Sequence, residues 1–163
     1  MSKTLNQYIR TYKEQLEIGD IQRAYQGVMD YIMSLRTHFV NHHSDHFVVG
    51  SMYQGYMDIS YFTITTESLK GKKLKIGIGF NHEKMQFGIW LSGQNRQIQK
   101  QYWVLFKDSD WDKYHIPDTL NEGFAIIEEI LIENPDFDNL ESLTEQIETK
   151  TIQFVKDITE VFV

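Results

Sequence analysis

The chain predicts an α+β fold: an antiparallel meander of three to four strands, flanked by an N-terminal helical hairpin and by C-terminal helices. Three observations carry this reading. Apolar residues recur every three to four positions as far as Phe39, at alternate positions through the stretch after Phe47, and again every three to four positions after Gly93. Glycines and β-branched or aromatic residues crowd into the middle stretch. Segregated blocks of helix, strand and helix favour helices packed on an antiparallel sheet over a doubly wound parallel one.

Leu5, Tyr8, Ile9, Tyr12 and Leu16 mark a first amphipathic helix, with Thr4 and Gln7 spaced as a capping box and Gly19 as its stop. Asp20 is placed to cap a second, longer helix along Ile21, Ala24, Tyr25, Val28, Ile32, Leu35 and Phe39, and the short connection makes the two antiparallel. Strands are predicted across Met57 to Thr65, Leu74 to Phe80 and Met85 to Leu91, the last two joined through Asn81-His82-Glu83-Lys84. Ile98, Tyr102, Leu105 and Phe106 mark a third helix, and Trp111 to Ile116 a short edge strand that Pro117 ends. Asp118 is placed to cap a fourth helix through Leu120, Phe124, Ile127 and Leu131, closed by Asn134-Pro135. Asp138 and Glu141 form a second capping box, opening a final helix through Leu140, Leu143, Ile147, Phe154, Val155, Ile158 and Phe162.

With 163 residues, and without a repeat, a low-complexity tract or a linker, the chain reads as one domain over residues 1–163. No apolar run is long enough to cross a bilayer and the start lacks the apolar core of a signal peptide, so the expected location is the cytoplasm. The chain has no cysteine, which excludes disulfides, thiolate nucleophiles and thiolate-held metal clusters. A net charge of −7 argues against nucleic acid as a partner. Lys70, Lys72, Lys73 and Lys75 make the one basic cluster, and no aromatic is interleaved to stack on bases.

Pairing Phe80 with Met85 would set Gly77 opposite Gly88, Gly79 opposite Gln86 and Lys75 opposite Trp90 on the face away from the core. Glycine in a strand gives up packing, so three on one face mark a close approach. Either a flanking helix lies across this bare floor, or the floor belongs to a concave site. In the second case Trp90 is a stacking wall, Lys75 a charge, and Tyr56, Asp58 and Ser60 contribute if they share that face, with Tyr53 and Trp103 as further aromatics. Asp58 sits in an aromatic and apolar run, where a buried carboxylate needs a partner or a raised pKa.

His38, His42, His43 and His46 are the densest set of potential metal ligands, but histidines also suit the C-terminal end of a helix, and no metal or other cofactor is expected. Gly50-Ser51-Met52-Tyr53-Gln54-Gly55 lacks the lysine and hydroxyl of a phosphate loop, and Gly77-Ile78-Gly79 lacks the third glycine of a dinucleotide fingerprint. A restriction-endonuclease-like core would need a second strand carboxylate, and from Lys70 to Gln86 the one acid is Glu83.

Gly50-Ser51-Met52-Tyr53-Gln54-Gly55-Tyr56-Met57-Asp58, Lys73-Leu74-Lys75-Ile76, Phe80-Asn81-His82-Glu83-Lys84 and Ile98-Gln99-Lys100-Gln101-Tyr102-Trp103 are similar to an uncharacterised family of short bacterial proteins, a domain of unknown function. The resemblance implies a one-domain bacterial protein and carries no site residues across. Three function classes follow from the residues. The first is a binding protein for a small ligand or protein partner, using the aromatic, glycine-lined sheet face. The second is an enzyme with Asp58 and His82 as acid and base, and the third an interaction module, self-associating through the apolar last helix.

Overall fold

The structure, a computed structural model, describes residues 1–120 and 125–163. Its elements run α1 (Leu5–Ile18), α2 (Asp20–His43), β1 (Val48–Tyr53), β2 (Ile59–Thr65), α3 (Glu67–Gly71), β3 (Leu74–Asn81), β4 (Gln86–Gly93), α4 (Arg96–Asp108), β5 (Ile127–Ile132) and α5 (Leu140–Glu160). The α+β meander is therefore present, with five strands in sequential antiparallel order β1-β2-β3-β4-β5.

Local chemistry explains the ends of the elements. Thr4 and Gln7 make the reciprocal capping box of α1, and Gly19 closes it in the left-handed conformation that glycine adopts without a Cβ penalty. Asp20 is the first residue of α2, where its charge meets the positive end of the helix dipole. The cap of α5 is Asn139, whose side chain accepts from the Ser142 N–H, in place of the expected Asp138.

Strand alternation sorts the sheet into two faces. Phe62, Ile64, Ile76, Ile78, Phe80, Phe87, Ile89 and Leu91 point to one side and are buried. Tyr31, Ile32, Leu35 and Phe39 of α2, Tyr102 and Phe106 of α4, and Leu143, Ile147, Phe154 and Ile158 of α5 complete one continuous core with them. Tyr31 meets Phe87 edge-on at 5.7 Å, and Phe39 packs at 6.0 Å from Phe62. The apolar stripe of α5 is thus consumed within the chain, and is not the exposed self-association surface that its sequence suggested.

Four expectations are corrected. β1 is a strand that the sequence pattern hid. The stretch Ile127–Ile132 is the edge strand β5, not part of a fourth helix; Phe124, assigned to that helix, lies outside the described residues. Trp111 to Ile116 forms no strand, contributing one bridge from His115 to Glu128. The β3–β4 register is displaced by two residues: Phe80 pairs with Phe87, Gly79 with Gly88, Gly77 with Trp90, and Lys75 with Ser92.

The junction between the C-terminal end of α2 and α5 is held by one carboxylate. His38 Nε2 and His43 Nε2 lie 2.5 and 2.8 Å from the same Glu148 Oε2. Burial raises the Glu148 pKa, but hydrogen bonds from His43 and His38 outweigh it and hold the group below its ordinary value. A lowered carboxylate pKa contributes stability above the unfolded-state value and loses it as pH falls through the folded-state value. Glu148→Gln is expected to cost roughly 1–2 kcal/mol at neutral pH. In urea melts the gap from the parent closes as pH falls below the ordinary glutamate range; a gap independent of pH would refute this account.

Candidate functional site

The second face of the sheet carries the chemistry. Three columns of side chains cross it: Thr63, Gly77, Trp90 and Glu128; Tyr61, Gly79, Gly88 and Ile130; and Ile59, Asn81 and Gln86. Among the described residues no helix lies against it, and Tyr53, Lys75, Glu128 and Ile130 are exposed. Antiparallel sheets commonly leave one face to water, but that face is usually polar. Here an aromatic row runs across it, with Tyr53 to Tyr61 at 5.2 Å and Tyr61 to Trp90 edge-on at 5.2 Å.

The glycines explain where the tryptophan lies. A Cβ on Gly77 would run into the Trp90 indole itself, and one on Gly79 would stand 3.0 Å from Trp90 Cη2 and 2.6 Å from Tyr61 Cβ. The floor at Gly77 is therefore covered by the ring of its own cross-strand partner, not by a helix. Gly88 differs: a Cβ there would meet only the Glu129 carbonyl, at an ordinary 3.5 Å.

Beyond the edge of the indole, over Gly79 and Gly88, the face opens into a shallow depression of about 350 Å³. Trp90 walls one side, and Ile59 and Ile130 add apolar surface. Asn81, Lys84 and Gln86 stand at the hairpin end, with Glu128 and His115 toward the β5 edge. The volume is at the small end of the usual range for ligand sites, and the mix of one aromatic wall with amide and charged groups suits a small polar molecule.

The residues anticipated from sequence distribute unevenly around it. Trp90 lines the depression. Tyr53 belongs to the aromatic row at the β1 edge of the same face, and Lys75 is exposed at the opposite end of β3, so the cation beside the depression is Lys84. Tyr56 is 95% exposed in the β1–β2 connection, off the sheet. Gln86 was expected on this face but not as a site residue, and Ile59, Asn81, His115, Glu128 and Ile130 were not anticipated. Ile59 and Asn81 follow from strand parity.

Asp58 sits in that same connection and serves the backbone. The Ile59 N–H donates to its carboxylate first among several contacts, with smaller contributions from the backbone of Asp58 and Tyr56 and the charge of His82, so its pKa is lowered. The raised value that an acid catalyst would need is not found. Asp58 also packs against Gly55, where a Cβ would collide with its Oδ1 and with the Ile59 carbonyl. Its neighbour His82 donates its backbone N–H to the Asp58 carbonyl at 2.9 Å, stacks its ring on Tyr25 at 5.6 Å, and lies 3.0 Å from Ser60 Oγ through Nε2. Burial pushes the His82 pKa down, opposed by the charge of Asp58. Ser60, Asp58 and His82 have the composition of a hydrolytic triad, but Ser60 is fully buried and its Oγ also accepts from the Gly55 N–H at 3.3 Å. An attacking oxygen must reach its substrate, so this cluster fastens the β1–β2 connection to the hairpin.

The histidines near the end of α2 divide: His38 and His43 hold Glu148, while His42 stacks on His38 at 4.2 Å and bonds its carbonyl. Among the described residues no three histidine, aspartate or glutamate side chains are arranged to hold a metal ion. Nor, among them, is any helix long and apolar enough to cross a membrane.

A family model described as Domain of unknown function (DUF7000) matches residues 5–162. The chain belongs to this family. No curated protein and no solved structure matches it. The match takes in every strand of the DUF7000 chain, including β3 and β4 with Gly77, Gly79, Gly88 and Trp90.

Proposed function

We propose that this DUF7000 chain is a bacterial cytosolic binding protein, a single domain over residues 1–163, that takes a small polar ligand in the depression over Gly79 and Gly88. The observation that carries the reading is the conjunction of an open sheet face, a paired-glycine floor and the edge of Trp90 as a wall. Binding costs little reorganisation there, because the strands on either side are fixed by the core beneath them. Asn81 and Gln86 offer amide donors and acceptors, and Lys84 and Glu128 opposite charges, which suit a sugar, a nucleoside or an amino acid.

A thermal-shift screen against those three classes tests it. Ligand at about 100 times its Kd stabilises by roughly 2.7 kcal/mol, equivalent to about 5–10 °C for a chain of this size. A shift is expected in the parent and is lost in Trp90→Ala and in Gly88→Leu, whose side chain fills the depression. A ligand that stabilises both variants as much as the parent would remove this site from consideration.

A further inference from the structure

We infer that α1 is a dimerisation arm, whose apolar stripe packs antiparallel against the same helix of a second copy of this chain. The helix is well specified, having a complete capping box at one end and a left-handed glycine at the other, yet it buries none of its residues. Leu5, Tyr8, Ile9, Tyr12 and Leu16 lie on one side and are between 37% and 75% exposed. An isolated helix of 14 residues is marginal in water, and a stripe that the contacts of α1 with α2 leave this exposed calls for cover from outside.

Area and charge select the second copy as that cover. The five side chains present roughly 550 Å² of accessible surface, about two-thirds of the 800 Å² that each partner gives to a standard interface, before the flanking Lys13 and Gln15 stems are counted. The chain carries −7 overall, whereas within α1 Arg10 and Lys13 balance Glu14 and Glu17, so the arm is neutral. Pairing through the arms thus joins two acidic molecules at the surface where they repel least. The spacing is self-complementary: an antiparallel pair sets Leu5 against the partner's Leu16 and Ile9 against the partner's Tyr12. A two-fold contact of this kind closes as a dimer rather than growing into a filament.

Sedimentation of the full chain across micromolar concentrations is the test. The parent is expected to move from monomer to dimer, and Ile9→Lys/Tyr12→Glu to remain a monomer with an unchanged near-UV spectrum, since those residues support nothing in the core. The chain has no native cysteine, so Leu5→Cys/Leu16→Cys should oxidise to a species of twice the mass, which Leu5→Cys alone should not give in comparable yield. A parent that stays monomeric throughout overturns the inference. So does a dimer that survives the Ile9 and Tyr12 changes, or a monomer whose arm binds anionic lipid vesicles instead.

Discussion

Gly79→Ala is expected to destabilise the protein by about 2–4 kcal/mol, whereas Gly88→Ala, directly opposite on the next strand, should change stability by less than about 1 kcal/mol. The two glycines share the open face and neither has a positive φ, so backbone conformation does not separate them. What separates them is space. A methyl at Gly79 would press on Tyr61 Cβ at 2.6 Å and on the Ser60 carbonyl at 2.9 Å, in the second and third of five strands, where neither backbone can retreat without breaking ladder bonds. At Gly88 the added methyl makes one ordinary contact, and its steric cost is offset by the strand entropy that glycine gives up. Urea midpoints of the two variants check the contrast; equal losses would mean that Tyr61 Cβ, the Ser60 carbonyl and the Trp90 ring do not crowd Gly79 as described.

Asp157→Ala should cost about 2–4 kcal/mol, an effect of similar size arising from a different cause. Its carboxylate receives the Tyr114 hydroxyl at 2.5 Å, Gln153 Nε2 at 2.9 Å and Lys113 Nζ at 3.3 Å, joining α5 to the segment that follows α4. The Tyr114 hydroxyl bond is the main reason that the Asp157 pKa is lowered, while burial and the carboxylate together push the Tyr114 pKa up. Truncation strands the hydroxyl beside Phe154, whose ring centroid lies 4.8 Å from that of Tyr114. Tyr114→Phe in the same background should recover part of the loss, because it removes the stranded group. A double-mutant cycle with no coupling would show that the two residues act independently. The consequence reaches the site, since the adjoining His115 borders the depression through its bridge to Glu128.

The helical hairpin, α4, α5 and three of the five strands were legible because their apolar periods are unbroken. β1 was not: a bulge between Val49 and Met52 interrupts its alternation. β5 imitates a helix, because Ile127 and Leu131 are both buried and stand four residues apart, and its pairing with β4 shifts register between Ile130 and Ile132. The hairpin register slipped by two because its loop is His82 to Met85, and Met85 takes a positive φ of 53° that methionine does not advertise. A slip of two keeps every side chain on its proper face. The glycine floor and Trp90 were therefore assigned to one surface from sequence, while their pairing, and with it the fact that the indole covers Gly77, was not. Asp58 was drawn toward the site by its apolar surroundings. Its bonds to nearby backbone amides are local loop geometry, for which residue type alone gives no signal.

The most direct test of the binding site is ¹H–¹⁵N chemical-shift mapping of the assigned parent protein during titration with the sugars, nucleosides and amino acids. The account predicts that a binding compound moves the backbone amides of Gly79 and Gly88 and the indole N–H of Trp90, leaving still both α1 and the groove that Met29 and Met33 of α2 form with Met52 of β1. Shifts centred on that groove, on Glu148, or nowhere on the open face would contradict it.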